Sequence, residues 1–177
     1  MLFHQSNKMK VLIIIFFLCI NFNLKTYSQS KPDKISTNVV FIEIAGLGGY
    51  GSLNYEKLLA RKNKFRYTAR IGLSTYRIRD FTNKFNPDII LPITVNALFG
   101  NNHKIEIGVG KTYTNIVRAN SFDFKPNRSS EFTTIFSFGY RYQKNTPGLL
   151  YRCAYTPILS FNNVLRHWLG VSLGYSF

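Results

Sequence analysis

The chain has 177 residues, with 23 Lys and Arg against 8 Asp and Glu, and is rich in Phe (16) and Tyr (11). That length suits one domain rather than two, and no apolar run reaches the roughly 20 residues of a spanning helix. Two cysteines exclude a disulfide framework or a Cys/His metal cluster, and basic residues scattered along the chain argue against a nucleic-acid partner.

The longest apolar run, Val11 to Ile20, lies between Lys8/Lys10 and a polar stretch ending Thr26-Tyr27-Ser28. A basic start, an apolar run too short to span, and small residues at the junction predict a signal peptide over 1–28, cleaved before Gln29. Met9-Lys10 would itself begin such a peptide, so the start is Met1 or Met9. Leu18 is too bulky to precede a lipidated Cys19, and no lipid anchor is expected. Cleavage leaves 20 basic and 8 acidic residues, a net +12, and the single cysteine Cys153. Residues 29–37 read as a short polar leader, frayed in water.

From there the chain alternates with a period of two, broken by turn signals. The first run, 38–46, sets Val40, Ile42 and Ile44 against Phe41 and Glu43. Gly46-Leu47-Gly48-Gly49-Tyr50-Gly51 follows; no Gly-Lys-Ser/Thr completes it, so it is a reversal or kink and not a phosphate loop. The second run, 52–59, opposes Leu53, Tyr55, Lys57 and Leu59 to Ser52, Asn54 and Glu56. In the third, Phe65, Tyr67, Ala69, Ile71 and Leu73 alternate with Arg66, Thr68, Arg70, Gly72 and Ser74. A loop over 77–87 precedes a fourth strand carrying Ile89, Leu91, Ile93, Val95, Ala97 and Phe99. After the hairpin turn Gly100–His103, the fifth sets Ile105, Ile107, Val109 and Tyr113 against Lys104, Glu106 and Gly108. The longest irregular segment is expected at 117–130, with Arg118, Lys125 and Arg128 around Phe122 and Phe124. A sixth strand over 131–143 and a seventh over 149–160 follow, the latter opposing Tyr151, Cys153 and Tyr155 to Arg152 and Ala154.

The last eleven residues, His167 to Phe177, put Leu169, Val171, Leu173, Tyr175 and Phe177 on one face and Gly170, Ser172, Gly174 and Ser176 on the other. A continuous apolar side with an almost bare polar side fits a wall between oil and a narrow interior. In this strand the chain resembles the small outer-membrane β-barrel proteins of Gram-negative bacteria. The resemblance implies that Tyr175 and Phe177 form an insertion signal, recognised by the barrel insertion machinery. It covers residues 38–177 and is one of pattern rather than motif.

Short and long links alternate along the chain, as they do in such barrels, where short turns are periplasmic and long loops external. With the C-terminus in the periplasm, 52–59 runs downward and 38–46 must run upward. The expected fold is therefore all-β: a closed antiparallel up-and-down transmembrane β-barrel of 8 strands. A single strand kinked at the glycines would leave seven.

Alternation alone does not say which face is inside, and a soluble lipocalin-like barrel binding an apolar ligand is the alternative. Three features place the apolar face outward. The second face is rich in Gly, Ser and Thr, which suit a narrow eight-stranded interior. It also carries both signs of charge: Glu43, Glu56 and Glu106 with Arg66, Arg70, Arg141 and Arg152, an ion-pair network for the lumen. Finally, Tyr55, Phe65, Tyr67, Phe99, Tyr140, Tyr142, Tyr151, Tyr175 and Phe177 gather toward one rim as an interfacial girdle.

A lumen filled by side chains gives no open pore. A lipid A-modifying enzyme would need His, Ser and an acid together at the outer rim. His103 is on a periplasmic turn, and His167 is at the outer end with Ser160 beyond a loop, so catalysis is not expected and no cofactor or metal is foreseen. The expected role is structural, adhesive or envelope-interacting, with outer-membrane lipids as partners. The basic loop residues Arg118, Lys125 and Arg128 point to lipopolysaccharide phosphate.

Overall fold

The computed structural model describes residues 35–119, 126–159 and 164–177. The expected signal peptide, Phe122, Phe124, Lys125 and Ser160 lie outside them. Strands β1 (Asn38–Ile44) and β2 (Gly51–Lys62) are separate, joined by a reversal at 45–50, so the kinked-strand alternative falls. There follow β3 (Phe65–Ser74), β4 (Ile89–Gly100), β5 (His103–Ala119), β6 (Pro126–Gln143) and β7 (Gly148–Tyr155). Two short pieces, β8 (Ile158–Leu159) and β9 (Leu165–Arg166), precede β10 (Leu169–Ser176).

Strands β1 to β7 pair in sequence order, β7 pairs with β10, and β10 returns to β1, every ladder antiparallel. Eight strands thus close a barrel with no free edge along its wall. Both ends of the described chain, 35–37 and Phe177, share one rim with the short turns after β2, β4 and β6. The longer connections rise from the other rim.

Two departures from the sequence expectation have physical reasons. The segment 117–130 is not irregular throughout: β5 and β6 stay paired from His103↔Tyr142 to Ala119↔Pro126. Beyond the apolar wall neither strand face needs to be greasy, so the period-two signal fades while the ladder continues. A polar contact helps hold it there, Asn115 Nδ2 donating to Ser130 Oγ at 2.8 Å. Conversely, β7 ends at Tyr155 instead of 160. Pro157 brings no N–H to a ladder, though its carbonyl accepts from Phe136 N at 3.0 Å.

The end of the leader is not frayed. Ser36 is 1% exposed; its N–H donates to Asn145 O at 2.9 Å, and its carbonyl accepts from Arg66 at 2.7 Å. Residues 35–37 therefore cross the lower mouth from β1 to the β6–β7 turn.

Candidate functional site: a sealed lumen inside an apolar wall

The interior is layered. At the long-loop end, the Gly46–Gly48 stretch is a single 3₁₀ turn folded inward, burying Leu47. Entering this turn requires positive φ at Ala45, Gly46 and Gly49 (57°, 85° and 80°), which glycine adopts without penalty. The glycine run is thus an inward plug as well as a reversal.

Below it lies a belt of charge. Arg70 reaches Glu43 at 2.5 Å; Glu43 meets Arg152 at 2.6 Å; Arg152 meets Glu106 at 2.8 Å. Glu106 then takes Arg141 at 2.7 Å, and Arg141 holds Glu56 in a two-pronged contact at 2.5 and 2.9 Å. Six charges from six strands form one alternating line of zero net charge, each at most 2% exposed. Two guanidinium–carboxylate contacts flank every inner member. Ser137 and Asn54 supply further bonds at 2.7 Å to Arg152 and 2.8 Å to Arg70. Such charges are tolerable in a narrow lumen only because each is paired and hydrogen-bonded.

The line needs room, and glycine provides it. A Cβ on Gly170 would lie 2.9 Å from Glu43 Oε1, and one on Gly46 would lie 2.7 Å from Glu43 Cδ. The bare face of the last strand is therefore shaped to a carboxylate on its neighbour.

Beneath the belt, Phe41, Val39 and Leu150 form a small apolar layer, with the Arg70 guanidinium 4.8 Å above the Phe41 ring. Arg66, expected in the network, stands apart from it. It makes no ion pair among the described residues and instead donates to Asn145 Oδ1 at 2.8 Å and to Ser36 O. Lys104, not foreseen in any site, is 1% exposed beside it and donates to Gln143 O. Its signal was present: Lys104 lies two residues below Glu106, on the same face.

Outside, the wall is apolar around the whole circumference. Ile42, Leu53, Ile71, Ile93, Val109, Phe138, Tyr151 and Leu173 are each 45–61% exposed, while their strand neighbours are buried or, at Gly110, Gly139 and Gly174, half-buried. A water-soluble barrel would place that face inward; here it needs a hydrocarbon surround. Solved structures of the same architecture agree. The N-terminal β-barrel domain of Pseudomonas aeruginosa OprF superposes with a TM-score of 0.54 at 12% identity, over 81% of this chain and all of that one. Yersinia pestis Ail, in complex with the heparin analogue sucrose octasulfate, gives 0.55 at 10% identity over 80% of this chain and 97% of that one. The fold is that of a small outer-membrane β-barrel. No protein-family model and no curated protein sequence matches the chain.

The ends of this barrel carry the remaining expected residues. Tyr175 and Phe177 face outward, 49% and 50% exposed. The Phe177 N–H donates to Asn38 O at 2.8 Å, and its carbonyl accepts from Thr37 and Asn38 at 3.0 Å, so the last residue closes the β1–β10 seam. At the other rim, Arg118 is exposed opposite Asn127. Arg128 is engaged: it donates to Asn115 Oδ1, Asn86 Oδ1 and, at 3.1 Å, Pro87 O, tying the β5–β6 hairpin to the loop after β3. Lys125 lies outside the described residues. Within that loop Asp80 accepts from Thr82 Oγ1 at 2.6 Å and from Asn86 at 3.1 Å. The Thr82 bond, with those from Asn86 and the Lys84 and Thr82 amides, holds its carboxyl down to about 2.

His103 and His167 lie on the rims. His103 Nδ1 is 2.5 Å from the Tyr140 hydroxyl, and His167 bonds the Tyr155 hydroxyl. Neither touches a carboxylate among the described residues. Those residues also hold no group of three or more His, Cys, Asp or Glu placed to bind a metal.

Proposed function

We propose that this chain is an integral outer-membrane protein that acts through its surfaces, structurally or in adhesion or envelope contact, and neither conducts nor catalyses. One observation carries this: an outward apolar wall surrounds a lumen whose six central charges neutralise one another, with Leu47 buried toward one end and Ser36, bonded to Arg66, buried at the other. Outer-membrane fractions should contain a band that migrates differently before and after boiling. Purified protein in planar bilayers should give no steady conductance. Stable single-channel steps would overturn the sealed-lumen reading.

Lipopolysaccharide is the partner favoured at the outer rim. Lys111 faces outward two residues below Tyr113, whose ring packs on Phe132 at 5.1 Å, and Arg118 extends above. Cations beside interfacial aromatics suit phosphate headgroups, each worth ~1 kcal/mol. The Ail structure carries a sulfated polyanion, the same broad ligand chemistry. Arg118→Gln with Lys125→Gln should weaken lipopolysaccharide association roughly ten-fold at low salt and flatten its salt dependence. Arg128→Gln should instead loosen the loop after β3. Unchanged association in the double variant removes this partner.

Phe177 separates packing from recognition. Its ring contributes burial of about 2 kcal/mol in lipid, too little to decide whether a whole barrel folds. Deleting it should leave refolding into vesicles nearly intact while sharply reducing assembly in cells, as loss of strand-edge capture by the insertion machinery would. Equal loss in both settings would make Phe177 a packing residue.

A further inference from the structure

On the outward face of β3 to β6 the wall is indented. Ala97 stands between Tyr67 and Ile107 in one cross-strand row, and its small side chain leaves an open groove of about 340 Å³. Leu59, Tyr67, Val95, Ile107 and Phe138 line it. Leu59 comes from the irregularity at Leu58/Ala60, where β2 carries one residue more than β3. A methylene is slightly smaller than a water's share of liquid volume, about 30 Å³, so the groove holds on the order of ten methylenes.

One end of this groove is cationic. Lys57 and Lys62 flank Leu59 on β2, in register with Ala69 and Phe65, and both are exposed. Lys57 also lies opposite Asn38, at the start of β1, which puts it near the short-turn rim. Arg61 and Lys64 are exposed on the same hairpin. Among the described residues none of these four pairs with a carboxylate.

We propose that the groove holds one acyl chain of an anionic phospholipid of the periplasmic leaflet, with its phosphodiester on Lys57 and Lys62. This rests on the outer-membrane placement above, which puts the short-turn rim at that leaflet and lipopolysaccharide at the other. Charge complementarity selects the headgroup. The indentation supplies more dispersion contact than a smooth wall gives a passing chain.

Native mass spectrometry can test it on protein released from micelles doped with phosphatidylglycerol and phosphatidylcholine of identical acyl chains. The parent should retain one phosphatidylglycerol in preference to phosphatidylcholine by at least roughly five-fold. Lys57→Gln with Lys62→Gln should abolish the preference, and Lys84→Gln, on the exposed loop after β3 at the opposite rim, should keep it. Ala97→Phe, which fills the groove from the lipid side, should reduce retention of both lipids. Equal retention of the two lipids by the parent, a preference surviving in the double lysine variant, or full retention in Ala97→Phe overturns the proposal. Failure of the parent to show a boiling-dependent gel shift in the same micelles would instead strike the barrel placement on which it rests.

Discussion

Glu106→Gln should destabilise the barrel by about 3–5 kcal/mol, the usual result of removing one partner from a buried ion pair. Glu106 is fully buried and sits at the middle of the line between two guanidiniums, Arg141 at 2.7 Å and Arg152 at 2.8 Å. Glutamine keeps the shape and one acceptor, so the variant isolates charge. The line of six then breaks into Arg70–Glu43–Arg152, with one positive charge in excess, and the neutral pair Arg141–Glu56. Position along the line sets an order. Glu56, at its end, serves one guanidinium, so Glu56→Gln should cost less than Glu106→Gln. Pairing Glu106→Gln with Arg152→Gln should cost less than the two single losses added together, since the second change removes the stranded cation. Urea unfolding of protein folded into vesicles measures all four, with midpoints shifting and slopes unchanged. A Glu106→Gln midpoint within about 0.5 kcal/mol of the parent would mean that water already solvates these groups, and the sealed lumen would go with it.

Which residues face the lumen was legible because strand side chains alternate strictly. Every charge in the line sits on the face that alternation assigned to the interior. Height was not legible, because parity says nothing about register between strands. Arg66 and Arg70 share a face on β3, yet four residues of about 3.3 Å each separate them along the strand. Only the upper one reaches the carboxylates, while Arg66 meets Asn145 and Ser36. Lys104 was hidden in the same way, its surroundings being fixed by the β4–β5 and β5–β6 registers. Leu47 escaped for a different reason. A glycine run announces a reversal but not its direction, and here the turn folds inward over the charged belt. The outer part of the β5–β6 hairpin shows the converse limit, since pairing outlasts the hydrophobic alternation that reveals it.

Ile71→Arg should cost roughly 2–4 kcal/mol in a bilayer. Ile71 is 49% exposed on the outward face, in register with Tyr55 and Ile93, which are also outward and apolar. It lies six residues above Phe65. At about 3.3 Å per residue and a tilt near 40°, that is ~15 Å up a band about 25 Å tall, close to its middle. An arginine there can bend its stem toward either interface but cannot bring its head fully into water. Arg118 is the built-in contrast. It is exposed five residues above Tyr113, past the upper edge of the apolar wall, so Arg118→Leu should change stability by less than about 1 kcal/mol. Inside the lumen the cause of damage differs. Ser74 Oγ lies 2.7 Å from Gly48 O and 2.5 Å from Gly51 O, its one proton shared between the two carbonyls, so Ser74→Arg displaces the inward turn by bulk. Its penalty should persist in any solvent. That of Ile71→Arg should grow with the thickness of the bilayer chosen. On a water-facing surface the same replacement would move stability by no more than about 0.5 kcal/mol. A value that small, unchanged between thin and thick bilayers, would mean that lipid does not cover this face, and the assignment of inside and outside would reverse.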